Sequence, residues 1–259
     1  MMSTPFDQSR ALERLTGIRH GFFGRRGGHS TGEFSSLNAS ESVGDRQESV
    51  QRNREQMTGV LGLAVEGLAQ VKQVHSARVV VLTDPAAIGE RPEADAIVTD
   101  IRCASLGILT ADCTPILLAD AEAGVIAAAH AGWRGAVTGI AEATVVAMVS
   151  LGADPERIVA AIGPTISEAN YEVGPEWAAE LLKHHRDASN RLSRPEGGRE
   201  HFDLPGFVFD HLIGAGVGVV EDLRLCTYAE PKKYFSHRWA THKGIPTGRQ
   251  LSVIGLGGL

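Results

Sequence analysis

Apolar residues in this chain come mostly in short runs closed by Gly, Asp or Pro, a punctuation that predicts buried strands more often than long helices. The densest stretch runs from Leu106 to Ile140. Its first apolar run, Leu106 to Thr110, leads into Ala111-Asp112-Cys113 and resumes at Ile116; its second, Gly124 to Ala129, leads into His130. The pattern predicts neighbouring strands joined by the Asp120–Gly124 turn, with Cys113 and His130 at or near strand ends.

Ile18 to Gly28 reads as a strand running into a Gly-rich turn, after a poorly ordered start over residues 1–16 with a short helix at best. Gln47 to Leu61 is predicted helical, with Asp45 as its N-cap. Leu68–Val74 and Ala77–Leu82 are β-like and flank His75, and Ala94 to Asp100 reads as a further strand. Apolar residues at 137, 140, 141, 145 and 148 form a helical stripe, and Gly152 suits its C-terminal cap. A strand over 157–162, a helix from Pro175 to about Lys183, a helix over 204–215, a strand over 223–228 carrying Cys226 and a last strand over 251–254 follow. Residues 184–199 read as an exposed loop with His184 and His185 solvated, and 229–248 as irregular. No internal repeat or linker divides the chain. Strands cluster without regular βαβ alternation, so the reading is one α+β domain over 1–259 with mixed sheets.

Composition narrows the function classes. Hydrophobic residues make up 43% of the 259 and charged ones 22%, as in ordinary globular enzymes. A net charge of −6 gives no general attraction to nucleic acid or anionic membrane. No run approaches the ~18 apolar residues of a membrane span, and the start shows no secretory h-region. Three cysteines, Cys103, Cys113 and Cys226, argue against a disulfide framework and for the reducing cytoplasm.

Cys thiolate and His imidazole are zinc ligands, and catalytic zinc sites combine three protein ligands with an open position. His75, Cys113 and His130 make such a set. Two other readings stand beside it: a Cys113 nucleophile with His130 as base, and a core cysteine without chemistry. A bracing zinc would need a fourth ligand, for which Cys226 or His237 is the candidate. After His130, the small residues and helix start of Ala131-Gly-Trp-Arg-Gly135 suit an anion, with Arg134 adding donors. Arg54, on pattern alone, is a solvated helix arginine. HExxH and PCxxC are absent, and none of the ten histidines pairs as HxH.

Taken together, QVHS at 73–76, ADAIVTD at 94–100, LTADCTPILL at 109–118, AAHAGWRG at 128–135, IGPTI at 162–166, YEVG at 171–174, CTY at 226–228, YFSHR at 234–238 and TGR at 247–249 give the chain, from about Phe22 onward, a resemblance. It resembles the bacterial laccase-domain proteins of YfiH type, first called polyphenol oxidases and now viewed as purine nucleoside phosphorylases. The resemblance implies a mixed β-sandwich flanked by helices and a single zinc on His75, Cys113 and His130. It implies phosphorolysis of adenosine, inosine, guanosine and 5′-methylthioadenosine, and deamination of adenosine. The family's active-site arginine falls on Asn53-Arg54. Arg54, Cys113 and His130 are then the catalytic candidates. Arg54, Arg134, Asn38, Gln73, Arg238 and Arg249 are the candidates for holding substrate or phosphate. The partners implied are small molecules, neither nucleic acid nor membrane. One departure stands out: Asn170 occupies the place where the family usually has Cys before YEVG. The alternatives are a cysteine hydrolase or amidase acting on cell-wall precursor peptides through Cys113 and His130, and a phenol-oxidising copper enzyme. Copper taken up in vitro would not argue for the latter, since a Cys/His pocket binds it adventitiously.

Overall fold

The computed structural model describes residues 5–257. The chain runs through β1 (Phe6–Asp7), α1 (Arg10–Glu13), β2 (Ile18–Phe23), α2 (Gln47–Val60), β3 (Leu68–Gln70), β4 (Val79–Leu82), β5 (Ala96–Thr99), β6 (Ser105–Thr110), β7 (Thr114–Asp120) and β8 (Val125–Ala131). It continues through α3 (Trp133–Val137), α4 (Ile140–Ser150), β9 (Val159–Ile162), β10 (Glu172–Val173), α5 (Pro175–His184), β11 (Leu192–Ser193), β12 (Glu200–Phe202), α6 (Leu204–Gly214), β13 (Val219–Asp222), α7 (His237–Lys243) and β14 (Gln250–Leu256).

These strands form a five-stranded sheet, β1-β2-β14-β6-β3, a six-stranded sheet, β13-β9-β7-β8-β5-β4, and a small sheet, β10-β12-β11. Pairing is parallel for β3 with β6, β4 with β5 and β9 with β13, and antiparallel elsewhere within the large sheets. The mixed α+β architecture expected from the sequence is therefore present. The six-stranded sheet is covered on both faces. Leu117, Ala119, Ile126 and Ala128 pack with Leu106, Ile108 and Ile254 of the five-stranded sheet. Ile116, Leu118, Val125 and Ala127 pack against Ile140 and Val145 of α4 and Phe207 and Leu212 of α6. Burial on both faces is why β7 and β8 read as continuous apolar runs rather than as an alternation. On the far face of the five-stranded sheet, Leu251 and Val253 meet Met57 of α2. The result is a sandwich of two sheets with helices outside each.

Several expectations need correction. The N-terminal segment is not ragged from Pro5 onward; residues 1–4 lie outside the described residues. Leu12 is buried, Ser9 N donates to His20 Nε2 at 2.9 Å, and Glu221 accepts from Ser9 Oγ and Ala11 N. Asp45 does not cap α2; Arg46 holds that position with no side-chain bond, and Asp45 accepts from Asn38 Nδ2 instead. The helix over 137–151 breaks at Gly139, whose φ of 89° no helix accommodates. The strand placed over 223–228 lies at β13. Arg224, at φ 53°, turns the chain there, leaving Cys226 one isolated bridge to Thr165. The segment 184–199 contains β11, and His185 is half-buried, donating from Nε2 to Val137 O at 2.8 Å beside Phe207. The span 229–248 contains α7, capped by Ser236 Oγ accepting from Trp239 N. Some of these misses turn on contacts between distant segments, as at Ser9 and His185, and others on local backbone turns, as at Gly139 and Arg224, neither of which hydrophobic periodicity reports.

Candidate metal centre

Three strand ends, of β5, β7 and β8, meet at one end of the six-stranded sheet. β7 and β8 pair so that Pro115 faces His130, which sets Cys113, just before β7, beside the end of β8. β5 pairs with β8 through Ala96 and Ala129, so Asp95 flanks His130 on the other side; His130 N donates to Asp95 O at 2.7 Å. His75 comes from the β3–β4 connection. That loop winds around the fully buried Asp95 carboxylate, which accepts from the backbone N–H groups of Val74, His75 and Ser76 and from Ser76 Oγ. The wrap holds His75 at φ 59°, a strained backbone for a non-glycine residue.

The ligand atoms of His75, Cys113 and His130 lie within 4.8 Å of one another, the one such cluster of three or more candidate ligands among the described residues. Cys113 Sγ is 3.9 Å from His75 Nε2, and the two imidazoles meet edge to face at 4.8 Å. Ligands of a tetrahedral zinc sit about 3.3–3.8 Å apart at bond lengths of ~2.0–2.3 Å, so small side-chain movements close the set around an ion. His130 Nδ1 bonds Asp95 Oδ1 at 2.9 Å. With Nδ1–H donating, Nε2 is the free ligand atom, a carboxylate–imidazole arrangement typical of metal sites. Gly132 closes the back: a Cβ there would come within 2.8 Å of His75 Cδ2 and 3.2 Å of Cys113 Sγ. The HAGWRG glycine is thus a steric requirement of the cluster.

Burial works to raise the Cys113 pKa, but the imidazoles, His130 foremost, bring it down to about 6. Burial works to lower that of His130, but Cys113 and Asp95 lift it to about 9. Burial would likewise raise Asp95, yet His130 and Ser76 hold it well below the usual carboxylate range. The two directions favour anionic sulfur beside a charged His130 imidazole, so a metal ion bound there would take the place of the proton on Nε2. Replacing Asp95 with Asn removes that charge and obliges one amide edge to face the N–H groups it now accepts from. Metal affinity is expected to fall about 10–100-fold, the usual cost of losing a partner of a ligating His. Competition with a chelator of known affinity measures it; an affinity equal to wild type would show that Asp95 only ties the loop.

The cluster opens into a cavity of about 700 Å³ that is also lined by Glu41, Arg54, Gln73, Arg91, His237 and Arg249. A larger cavity, about 860 Å³, lies by Arg10, Asp222 and Arg224 but contains none of the three ligands, so the chemistry singles out the smaller one. Arg54 is buried, donating from Nε to Ala39 O at 2.9 Å and pairing with Glu41 at 2.5 Å. Arg249 donates from Nη1 to Gly248 O and feels the charges of Cys113 and Asp112. Gln73 lines the cavity, yet its amide pairs both ways with Leu109 N and O. Asn38 is fully buried beneath it, exchanging bonds with Ser40, donating to Asp45 and accepting from Arg249 N. Arg134 and Arg238 do not line it. Arg134 is exposed and stacks on Trp133, and Arg238 lies over Tyr171 and donates to Glu172 O. The five-residue α3 is also too short to act as an anion-binding helix start.

Cys226 lies outside the cluster, accepting from Ser167, Asn170 and Ala229. His237 lines the cavity but is likewise not of the three. Asn170 thus contributes to a polar knot around Cys226 and not to the ligand set. Sequence reading missed Asp95, Asp112, Glu41 and Arg91. Asp112 sits at φ 85° and accepts from Thr227 Oγ1 and Arg238 N, both at 2.6 Å, tying the turn before Cys113 to the start of α7. The one available signal for both aspartates was their place inside the ADAIVTD and LTADCTPILL motifs.

A purine nucleoside phosphorylase of Deinococcus radiodurans is 42% identical over 244 residues, covering 92% of this chain and 89% of its own length. A protein named adenosine deaminase RL5, from an unknown prokaryotic organism, is 36% identical over 232 residues, covering 85% and 87%. Among solved structures, a Neisseria meningitidis protein superposes with a TM-score of 0.86 at 33% identity, covering 99% of this chain and 100% of that one. YlmD of Geobacillus stearothermophilus follows at 0.85 and 28%, covering 98% and 99%. The profile of the family described as multi-copper polyphenol oxidoreductase laccase matches residues 19–257, and the chain belongs to that family of enzymes, with relatives that carry the names purine nucleoside phosphorylase and adenosine deaminase.

Proposed function

We propose that this enzyme is a zinc-dependent purine nucleoside phosphorylase that also deaminates adenosine. The observation that carries the reading is a three-ligand Cys/His cluster facing a cavity that also holds Arg54 and Arg249. Three protein ligands leave a position open for chemistry, whereas a bracing zinc takes four. Zinc held by His75, Cys113 and His130 supplies Lewis acidity, the chemistry that hydrolytic loss of ammonia from the purine C6 requires. The chain's own residues do the rest. Asp95 fixes the ring of His130, and Arg54 and Arg249 position inorganic phosphate against the ribose C1′ and offset its charge. Adenosine, inosine, guanosine and 5′-methylthioadenosine are the substrates this reading assigns. No described helix is long and apolar enough to cross a membrane, and three free cysteines fit the cytoplasm.

Elemental analysis of protein purified without added metal is expected to find zinc near one equivalent, with activity lost on chelation and restored by zinc. One specific observation favours a second reading. Asp95, His130 and Cys113 align as an orienting acid, a base and a thiolate, as in cysteine hydrolases. A metal-free, fully active preparation would establish that reading instead.

A further inference from the structure

Glu41 stands where an anion belongs. Its Oε1 pairs with Arg54 Nη1 at 2.5 Å, and its two oxygens take Arg91 Nη1 at 2.7 Å and Nη2 at 3.3 Å. One carboxylate thus bridges two guanidiniums, through both terminal nitrogens of Arg91 and through Nη1 of Arg54, donors whose geometry also matches phosphate. The two arginines differ in setting. Arg54 is 5% exposed at its side chain and held from behind by Ala39 O, whereas Arg91, 46% exposed, bonds Glu41 through both terminal nitrogens. Glu41 itself is 40% exposed. Its segment is fixed on one side, where Asn38 bonds both Ser40 N and Ser40 O. On the other side Ser42 bonds Ser40 Oγ through both its N–H and its hydroxyl, so the backbone is held on both sides of Glu41. The side chain is therefore free to swing to solvent while its base stays in place.

We propose that Glu41 is a placeholder: it occupies the Arg54–Arg91 pair until inorganic phosphate displaces it, and Arg91 is the second arm of the phosphate site. This rests on the phosphorylase reading above. A phosphate dianion and the Glu41 carboxylate do not share two guanidiniums, because each would face the other's charge at contact distance. Phosphate binding is then an exchange of one anion for another. Glu41 keeps the buried Arg54 compensated in the empty cavity, and phosphate affinity is lowered by the competition.

The test is calorimetric titration of inorganic phosphate into the holoenzyme and into Glu41→Gln, Glu41→Asp and Arg91→Ala. Glu41→Gln keeps the shape and removes the charge. It is expected to bind phosphate about tenfold tighter, with the KM for phosphate in inosine phosphorolysis falling in step and kcat changing less. Glu41→Asp, which keeps the carboxylate, is expected to stay near wild type, and Arg91→Ala to bind about tenfold more weakly. Unchanged or weaker phosphate binding by Glu41→Gln overturns the proposal and makes Glu41 a brace for Arg54, as does the absence of phosphate binding in every variant. If Glu41→Gln gains affinity but no form releases ribose 1-phosphate, the placeholder stands and the phosphorylase reading fails.

Discussion

Cys113→Ala protein is expected to fold, to purify without zinc and to lose both phosphorolysis and deamination. The substitution removes the one thiolate of the cluster and leaves two imidazoles, one exposed and one buried. Changing a mere partner of a ligand costs about 10–100-fold in affinity or activity, so loss of a ligand itself is expected to cost more in both reactions. The fold has little reason to follow. Cys113 precedes β7 rather than lying within it, and the packing of β7 against β8, α4 and the other sheet involves none of its atoms. The turn is held by its neighbour: Asp112 O accepts from Ile166 N and Thr165 Oγ1 and its carboxylate from Thr227 and Arg238. Stability is expected to drop by only about 1 kcal/mol, the centre of the range for single substitutions. Circular dichroism, zinc content and product chromatography on one preparation check all three outcomes. Collapse of the helical signal together with zinc loss would show the metal to be structural.

How far such a site is legible in sequence depends on what each residue bonds to. β7 and β8 announced themselves because both faces are buried, and their pairing followed from the short Asp120–Gly124 turn. Cys113 and His130 then fell at strand ends by counting. His75 was read between strands reaching Val74 and starting at Ala77, but they stop at Gln70 and start at Val79, because the connection between them is shaped by Asp95, a carboxylate whose partners are mostly backbone amides. Backbone donors carry no sequence signal, so a residue that works through them looks like any other polar position. The same holds for Asp112. The arginines split on a similar ground. Arg54 looked solvated because α2 is amphipathic and largely polar, yet its guanidinium points inward to Ala39 O and Glu41. Arg134 was singled out because it follows His130 by one short turn, and α3, which starts at Trp133, sets its guanidinium over the Trp133 ring.

The second large effect separates the two reactions by their second substrate. Deamination consumes water and phosphorolysis consumes inorganic phosphate. With adenosine and no phosphate, the enzyme is expected to yield inosine and little free base; adding phosphate is expected to bring out adenine, hypoxanthine and ribose 1-phosphate. Removing a charged donor from a site of this kind costs about 10²–10³-fold in rate. Arg54→Ala and Arg249→Ala are therefore expected to depress phosphorolysis by about that factor and deamination far less. Both residues line the cavity with Cys113, and neither belongs to the His75–Cys113–His130 cluster. Arg134→Ala, whose guanidinium stacks on Trp133 away from the cavity lining, is expected to behave nearly as wild type. Arg54 also holds Ala39 O and Glu41, so Arg249→Ala is the cleaner probe, its side chain bonding Thr247 O and Gly248 O of its own turn. Chromatography of products with and without phosphate reads every arm. Free base released equally fast without phosphate would make the enzyme a hydrolytic nucleosidase. Equal loss of both reactions in both variants would mean that these arginines hold the nucleoside or the Asn38–Asp45 segment. The phosphate site would then have to be sought among the other cationic groups of the cavity, Lys72 and Arg91.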